Sequence, residues 1–173
     1  MNRNLRAAAA VVAVALALPA RGTGGAEALR PFVGRWKAMM SYAEGGGRFS
    51  VGLAEESQVK QIDRNTIAFS IKPVTSATPV LDARLSHDAA NGIYLLNVKN
   101  GASVIIENLK LSYAEGTGFS GAGTLTDSAG KPHSVGFKIE TKADGGHEWT
   151  CVDPAAPPNN NIVLGFTFFK RLE

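Results

Sequence analysis

Short runs in which apolar and polar residues alternate dominate the chain from about residue 33 to its end. In the first run, Trp36, Ala38 and Met40 share one face of an extended chain. Gly, Asn and Asp separate the runs, and Asn100-Gly101 is the pair that a two-residue hairpin turn favours. No window of a dozen residues shows a convincing 3.6-residue period. The pattern predicts antiparallel hairpins with little or no helix.

About ten strands follow one another in up-and-down order. The first spans 33–43, and the second spans 48–62 with a bulge or break at Glu55-Glu56. The others lie at 66–72, around 81–85, 93–99, 103–113, 116–126, around 135–139, 147–152 and 162–172. A sheet of this length hides its edges best by closing on itself. We therefore predict an all-β fold, a single antiparallel up-and-down β-barrel.

The stretch 116–126 is rich in Gly, Ser and Thr. A glycine-rich phosphate cradle needs a helix after it, and no helical pattern follows here. Gly121 and Gly123 share a face with Phe119 and Leu125, and glycine at such positions lets a strand bend or lets another group approach closely. We therefore interpret this stretch as a bent strand.

The first residues of the chain have the layout of a secretory signal peptide. Arginines precede an unbroken apolar run, residues 7–18, which is too short to span a bilayer. Ala26-Glu27-Ala28 offers a cleavage site, and Leu18-Pro19-Ala20 offers a second. We predict a signal peptide at 1–28 and a barrel domain at 29–173. The protein would be exported by a bacterium to the periplasm or the medium, with no membrane span after cleavage.

Charge and cysteine usage narrow the possible partners. Residues 1–28 hold three of the 18 Lys and Arg residues and one of the 15 acidic residues, which leaves 15 basic and 14 acidic residues. This balance gives no reason to expect a nucleic-acid partner. The single cysteine, Cys151, cannot form an internal disulfide and lies in an apolar alternation, so we predict a buried structural thiol.

The segment Gly34-Arg35-Trp36 resembles the Gly-x-Trp signature of the calycin superfamily, which comprises lipocalins, fatty-acid-binding proteins and nitrobindin-like barrels. In that superfamily the Trp closes the barrel floor, and a basic residue of the last strand lies across its ring. The resemblance implies a lipocalin-like barrel closed by Gly34, Trp36 and Arg171, with Lys170 as the second choice. A guanidinium over an indole contributes roughly 0.5–2 kcal/mol. The middle of the chain is similar to secreted lipocalin-like families of bacteria whose function is unknown.

This chain departs from the superfamily at several points. Gly45-Gly46-Gly47 leaves no room for the helical lid of fatty-acid-binding proteins, and the terminal helix and disulfide of typical lipocalins have no counterpart. Nitrobindin-like barrels bind haem through a His near the start of the last strand, but residues 159–163 contain no His. We therefore predict no cofactor.

The candidate chemical groups are scattered. His87, His133 and His147 lie on different predicted strands without metal-ligand spacing, so we predict no metal site and expect His147 near solvent at a hairpin end. A metal or haem held by His147 and Cys151 is the alternative.

The charged residues of the strands have two interpretations. Glu55, Glu56 and Glu107 are the carboxylates nearest a predicted interior, and the simpler interpretation places them on the outer surface. Arg84 alternates with Leu81, Ala83 and Leu85 and should point away from them; either face could be the interior, and an inward Arg84 would suit an anionic head group. We predict no catalytic residue among them.

Six aromatic residues are either core or the lining of an interior cavity: Phe69, Phe119, Phe137, Trp149, Phe166 and Phe168. A barrel of eight to ten strands can hold a small ligand. We predict that the protein binds a small hydrophobic or amphipathic ligand in its interior. The alternatives are a barrel enzyme of the isomerase or cyclase type and a structural or interaction protein of the cell envelope with a filled core.

Overall fold

Ten antiparallel strands form a closed barrel in which each strand pairs with its neighbours in sequence and the first pairs with the last. The computed structural model describes residues 24–44, 48–71, 81–100, 102–127, 129–156 and 162–172, and within these ranges it describes the side chains except those of 41–56 and 162. The all-β, up-and-down barrel predicted from the alternating pattern is confirmed.

The elements follow the predicted hairpins closely, with one addition. The strands are β1 (Gly34–Glu44), β2 (Arg48–Asp63), β3 (Thr66–Ile71), β4 (Leu81–Asp88), β5 (Ile93–Asn100), β6 (Ser103–Ala114), β7 (Gly118–Thr126), β8 (Pro132–Thr141), β9 (His147–Val152) and β10 (Ile162–Leu172). A 3-10 helix, Gly25–Phe32, precedes β1. Residues 25–28 of this helix fall within the segment that we assigned to the signal peptide.

Alternate residues of each strand face the lumen. In β4, Leu81, Ala83 and Leu85 are buried, whereas Asp82 and Arg84 are exposed. The glycine-rich stretch forms β7, so its prediction as a strand is confirmed. Inward side chains of the strands therefore build most of the core.

Side chains cross the lumen and meet on the far side. The Phe69 ring on β3 lies 4.8 Å from the Trp149 ring on β9 and 5.2 Å from the Phe166 ring on β10. Neither β9 nor β10 is a neighbour of β3 in the sheet. Where the structure describes the side chains of this central layer, the lumen is filled with apolar groups.

The bulge predicted at Glu55-Glu56 is present in β2. Trp36 pairs with Ser57 and Ala38 pairs with Ala54, so β2 has one more residue than β1 in this interval. The strand continues beyond the bulge to Asp63. The side chains of Glu55 and Glu56 lie outside the described part of the chain.

Strands β1 and β10 close the barrel at Trp36 and Arg171, which are paired in register. The Arg171 Cζ atom lies 5.7 Å from the Trp36 ring centroid. Arg171 Nη2 also donates a hydrogen bond to the Val33 carbonyl at 2.8 Å. Gly34 has a φ of +153°, and a Cβ there would lie 2.9 Å from Arg171 Nε, so glycine leaves the space that the guanidinium occupies.

The 3-10 helix covers the end of the barrel where β1 begins. Its Leu29 and Phe32 side chains are buried in the main core. The Trp36 Nε1 atom donates to the Phe32 carbonyl at 2.9 Å, and the Tyr94 hydroxyl donates to the Gly25 carbonyl at 2.6 Å. These contacts fix the helix at both ends. We call residues 24–32 the plug and the end that they cover the plugged end.

Candidate functional site

All six aromatic residues predicted to line a cavity lie inside the barrel and are buried. Phe69, Trp149, Phe166 and Phe168 form one cluster, in which the Phe69 ring is nearly perpendicular to the other three rings. Phe119 lies at the plugged end, with its ring 5.7 Å from that of Phe32. Phe137, the sixth aromatic residue, is buried on β8.

His147 is buried at the plugged end, so the expectation that it lies near solvent is wrong. His147 is 2% exposed to solvent. It pairs with Phe168 in β10, and the two rings are stacked 4.3 Å apart. Trp36 and Phe32 stand perpendicular to the imidazole at 4.7 and 4.9 Å. The plug, which the alternating pattern did not predict, covers a position that would otherwise lie at the mouth.

The surroundings of His147 determine its protonation and its tautomer. Burial lowers the pKa of His147 to about 3, so the ring is neutral at pH 7. The Trp149 Nε1 atom donates a hydrogen bond to His147 Nδ1 at 2.8 Å. A neutral imidazole has one N–H group, which must therefore be on Nε2. Among the described side chains, Nε2 is the one buried nitrogen or oxygen without a hydrogen-bond partner.

This tautomer opposes the alternative in which His147 holds a metal or haem. A metal ligated through Nε2 would require the proton on Nδ1, where it would face the Trp149 N–H group. Within the described ranges, no three His, Cys, Asp or Glu side chains are grouped as metal ligands. His147 is therefore suited to donate a hydrogen bond rather than to ligate a metal.

The prediction that Cys151 is buried is confirmed. Its partners across the sheet are Phe137 on β8 and Leu164 on β10. Burial raises the pKa of the Cys151 thiol to about 12, because the thiolate is poorly solvated in this environment. The thiol is therefore protonated at neutral pH and is not an activated nucleophile.

The other two histidines lie apart from this cluster. The His133 Nε2 atom on β8 lies 2.8 Å from Asp127 Oδ2 near the surface, and this contact lowers the pKa of Asp127. His87 on β4 is half-buried, with its ring 5.0 Å from that of Tyr94. The three histidines therefore do not form a site together.

A cavity of about 350 Å³ lies at the plugged end. The plug supplies three of its lining residues, and the β6–β7 and β8–β9 connections with the adjoining strand ends supply the rest. The lining residues are Ala28, Pro31, Phe32, Tyr113, Gly116, Gly118, Thr141, Lys142 and Ala143. Phe32, one of these lining residues, also contacts His147, with its ring 4.9 Å from the imidazole. We call this space the end cavity.

The end cavity combines an apolar wall with a cation. Lys142 forms a salt bridge with Glu148, and its hydrogen bond to that carboxylate raises the pKa of Lys142. Ala28, Phe32 and Tyr113 provide the apolar surface. Such a wall suits a molecule that has an apolar body and a polar or anionic end.

A larger recess of about 850 Å³ lies on the outer surface of β2–β6. It contains equal numbers of basic and acidic side chains, which are Lys60, Arg84, Lys99, Asp63, Asp82 and Glu107. Arg84 is exposed and points away from Leu81, Ala83 and Leu85, as predicted, so the face that carries Arg84 is the outer one. This groove is larger than the end cavity, and its six charged side chains distinguish it from the end cavity, where Lys142 is the one charged residue of the described lining.

Glu107 lies on the outer surface, as the simpler of the two interpretations has it. The pairing of β6 with its neighbours is irregular around this residue, and Asn108 has a φ of +48°. Ile106 and Leu109 face inward while Glu107 and Asn108 both face outward. The Asn108 N–H group donates to Asn97 Oδ1 at 3.0 Å and holds this distortion.

No protein-family model matches the chain, and no curated protein matches it in sequence. The closed ten-stranded barrel is compatible with a calycin-like fold. In the described ranges there is no helix of the length and apolar character needed to cross a bilayer.

Proposed function

We propose that this protein is an exported, calycin-like barrel that binds a small hydrophobic or amphipathic ligand at the plugged end of its lumen. The observation that carries the proposal is the end cavity, whose lining includes Phe32. The Phe32 ring contacts that of His147, which has a buried N–H group without an acceptor among the described residues. A buried donor without a partner is unusual and requires an explanation.

The ligand would use both polar groups. Its apolar body would contact Ala28 and Phe32 in the end cavity, and an anionic or polar end would face Lys142. A rotation of the Phe32 side chain would expose the His147 Nε2–H group to an oxygen of the ligand. The cavity volume of about 350 Å³ lies near the lower end of the range for ligand pockets, so the ligand is small.

Binding is favoured over acid–base catalysis. The pKa values of His147 and Cys151 are about 3 and about 12, so neither group exchanges a proton readily near pH 7. Burial also raises the pKa of Tyr94 to about 12, and its hydroxyl donates to the Gly25 carbonyl. The described lumen therefore has no group suited to act as a general acid or base.

Titration with the amphipathic dye 1-anilinonaphthalene-8-sulfonate tests the end cavity, because the dye has apolar rings and an anion. We expect saturable binding with one dye per folded barrel. Thr141 is an exposed residue of the cavity lining, and Thr141→Trp should fill the space and abolish binding. Thr124 is exposed on β7 away from the cavity, so Thr124→Trp is the matched control and should bind normally.

The outcomes are distinct. Absence of saturable dye binding, or equal binding by the two Trp variants, would contradict the proposed site. Native mass spectrometry of protein exported by its own host should also show a bound small molecule, which Thr141→Trp should lack.

The second candidate function is an interaction protein with a filled core. The rings that cross the lumen between β3, β9 and β10 favour it, because they leave no central cavity in that layer. A barrel that carries no ligand from its host and binds no dye would support this candidate over the first.

A further inference from the structure

We infer that signal peptidase cleaves after Ala20 rather than after Ala28. The whole plug, residues 24–32, then remains in the mature protein. The inference rests on the proposed export. The sequence offers both cleavage sites, and the contacts of the plug distinguish between them.

Residues before position 29 make specific contacts with the barrel. The Gly25 carbonyl accepts the hydrogen bond from Tyr94 on β5, and within the plug the Ala28 N–H group donates to the Gly24 carbonyl at 3.1 Å. Ala28 is 8% exposed. Gly24 lies so close to Tyr113 that a Cβ at Gly24 would be 2.4 Å from the ring. Gly24, Gly25 and Ala28 are therefore packed against the barrel end.

Cleavage after Ala28 would undo this fit. The Tyr94 hydroxyl, on a residue that is 2% exposed, would lose its acceptor. Leu29, also 2% exposed, would carry a charged α-amino group at the edge of the core. Ala28 would be removed from the wall of the end cavity. Cleavage after Ala26 would remove the Gly25 carbonyl as well.

Cleavage after Ala20 avoids all of these losses. Water hydrolyses the peptide bond between Ala20 and Arg21, which leaves a carboxylate on Ala20 and the new α-amino group on Arg21. Residues 21–23 then separate the charged terminus from Gly24. The whole plug, with both of its anchoring hydrogen bonds, stays with the barrel.

The intact mass and N-terminal sequence of the exported protein test this directly. The full chain is expressed in a Gram-negative bacterium, and the periplasmic fraction is analysed. We expect the chain to begin at Arg21. An exported chain that begins at Glu27 or Leu29 overturns the inference while leaving the export proposal intact. A full-length chain that stays in the cytoplasm overturns both.

Thermal unfolding of truncated proteins gives a second test. We expect the protein that comprises residues 29–173 to melt roughly 2–10 °C below that of residues 21–173, or not to fold. The matched control, residues 24–173, removes only the spacer and should melt like 21–173. Equal melting temperatures for 29–173 and 21–173 would contradict a structural role of the plug.

The Tyr94→Phe substitution separates the hydrogen bond from other effects of truncation. In residues 21–173 it removes a bond to the Gly25 carbonyl and should lower the melting temperature. In residues 29–173 the hydroxyl has no acceptor, so its removal should leave the melting temperature unchanged or raise it. The same decrease in both backgrounds would show that the plug does not engage Tyr94.

Discussion

Replacing Trp36 by Ala tests the closure of the barrel at the residue that joins the first strand to both the plug and the last strand. Trp36 is 2% exposed, and its Nε1 atom donates to the Phe32 carbonyl of the plug. Its ring lies under the Arg171 guanidinium and beside His147. The substitution removes contacts with the plug, with the last strand and with the lumen at once.

The magnitude follows from these contacts. Truncation of a buried Trp to Ala costs about 3–5 kcal/mol, including the cavity that is left. The cation–π contact with Arg171 and the hydrogen bond to Phe32 place Trp36 near the upper part of that range. For a domain of this size the loss corresponds to a decrease in melting temperature of roughly 6–20 °C. Typical domains are stable by about 5–15 kcal/mol, so the variant should still fold at room temperature.

Urea and thermal unfolding followed by circular dichroism measure the effect. Trp36→Phe keeps most of the ring but leaves the Phe32 carbonyl without its donor, so we expect a smaller loss of about 1–3 kcal/mol. Phe169 on β10 is 44% exposed, and Phe169→Ala is the matched control with a change within about 0.5 kcal/mol. A Trp36→Ala protein that melts like the wild type would refute the closure role of Trp36.

Three further predictions follow from buried groups. Because burial lowers the pKa of His147 to about 3, the unfolded chain takes up a proton first as the pH falls. Stability should therefore decrease by about 1.4 kcal/mol per pH unit from about pH 6.5 towards pH 3, and urea midpoints should show a smaller slope in His147→Phe. Cys151, with its pKa raised to about 12, should not react with iodoacetamide at pH 8 until the protein is unfolded, and rapid labelling of the native protein would contradict this. Gly121→Ala should destabilise the barrel by about 1–3 kcal/mol in urea unfolding, because its Cβ would lie 2.1 Å from the Lys110 carbonyl oxygen, whereas Gly136→Ala, with 3.4 Å to its nearest neighbour, should have little effect.

The barrel could be predicted from the sequence because its hairpins are local. The two-residue alternation determines which side chains face inward, and turn residues such as Asn100-Gly101 mark where each strand ends. To predict that the barrel closes, the first strand had to be matched with the last strand, which is distant in sequence. The resemblance at Trp36 supplied this relation, and the structure places Arg171 over the ring of Trp36.

The plugged end could not be predicted because its sequence has two interpretations. Ala28, Leu29 and Phe32 have the spacing of one helical face, but Pro31 interrupts the helical pattern, and the segment overlaps the small residues that signal peptidase favours. Without the plug, a His one residue after a turn is expected near water. The burial of His147 therefore depends on a contact that alternation within the strands does not encode.

The outer surface of β6 shows a second limit of the alternation rule. A regular strand would place residues 105, 107 and 109 on one face. The positive φ of Asn108 shifts the phase, so that Ile106 and Leu109 both face inward. Nothing in the segment Glu107-Asn108 other than the tolerance of Asn for this conformation signals the change.

The way in which the plug is held decides how a ligand would reach His147. Trp36 bonds the main-chain carbonyl of Phe32, and Arg171 bonds that of Val33, so both fix the backbone where the plug meets β1. Neither bond involves the Phe32 side chain, whose ring packs against Phe119, His147 and Trp149. In the proposed site, a rotamer change of Phe32 would open the path from the end cavity to His147 while these two backbone bonds persist. We accordingly expect the proposed ligand site and the closure of the barrel to coexist, since the backbone contacts that maintain closure are separate from the ring that would move.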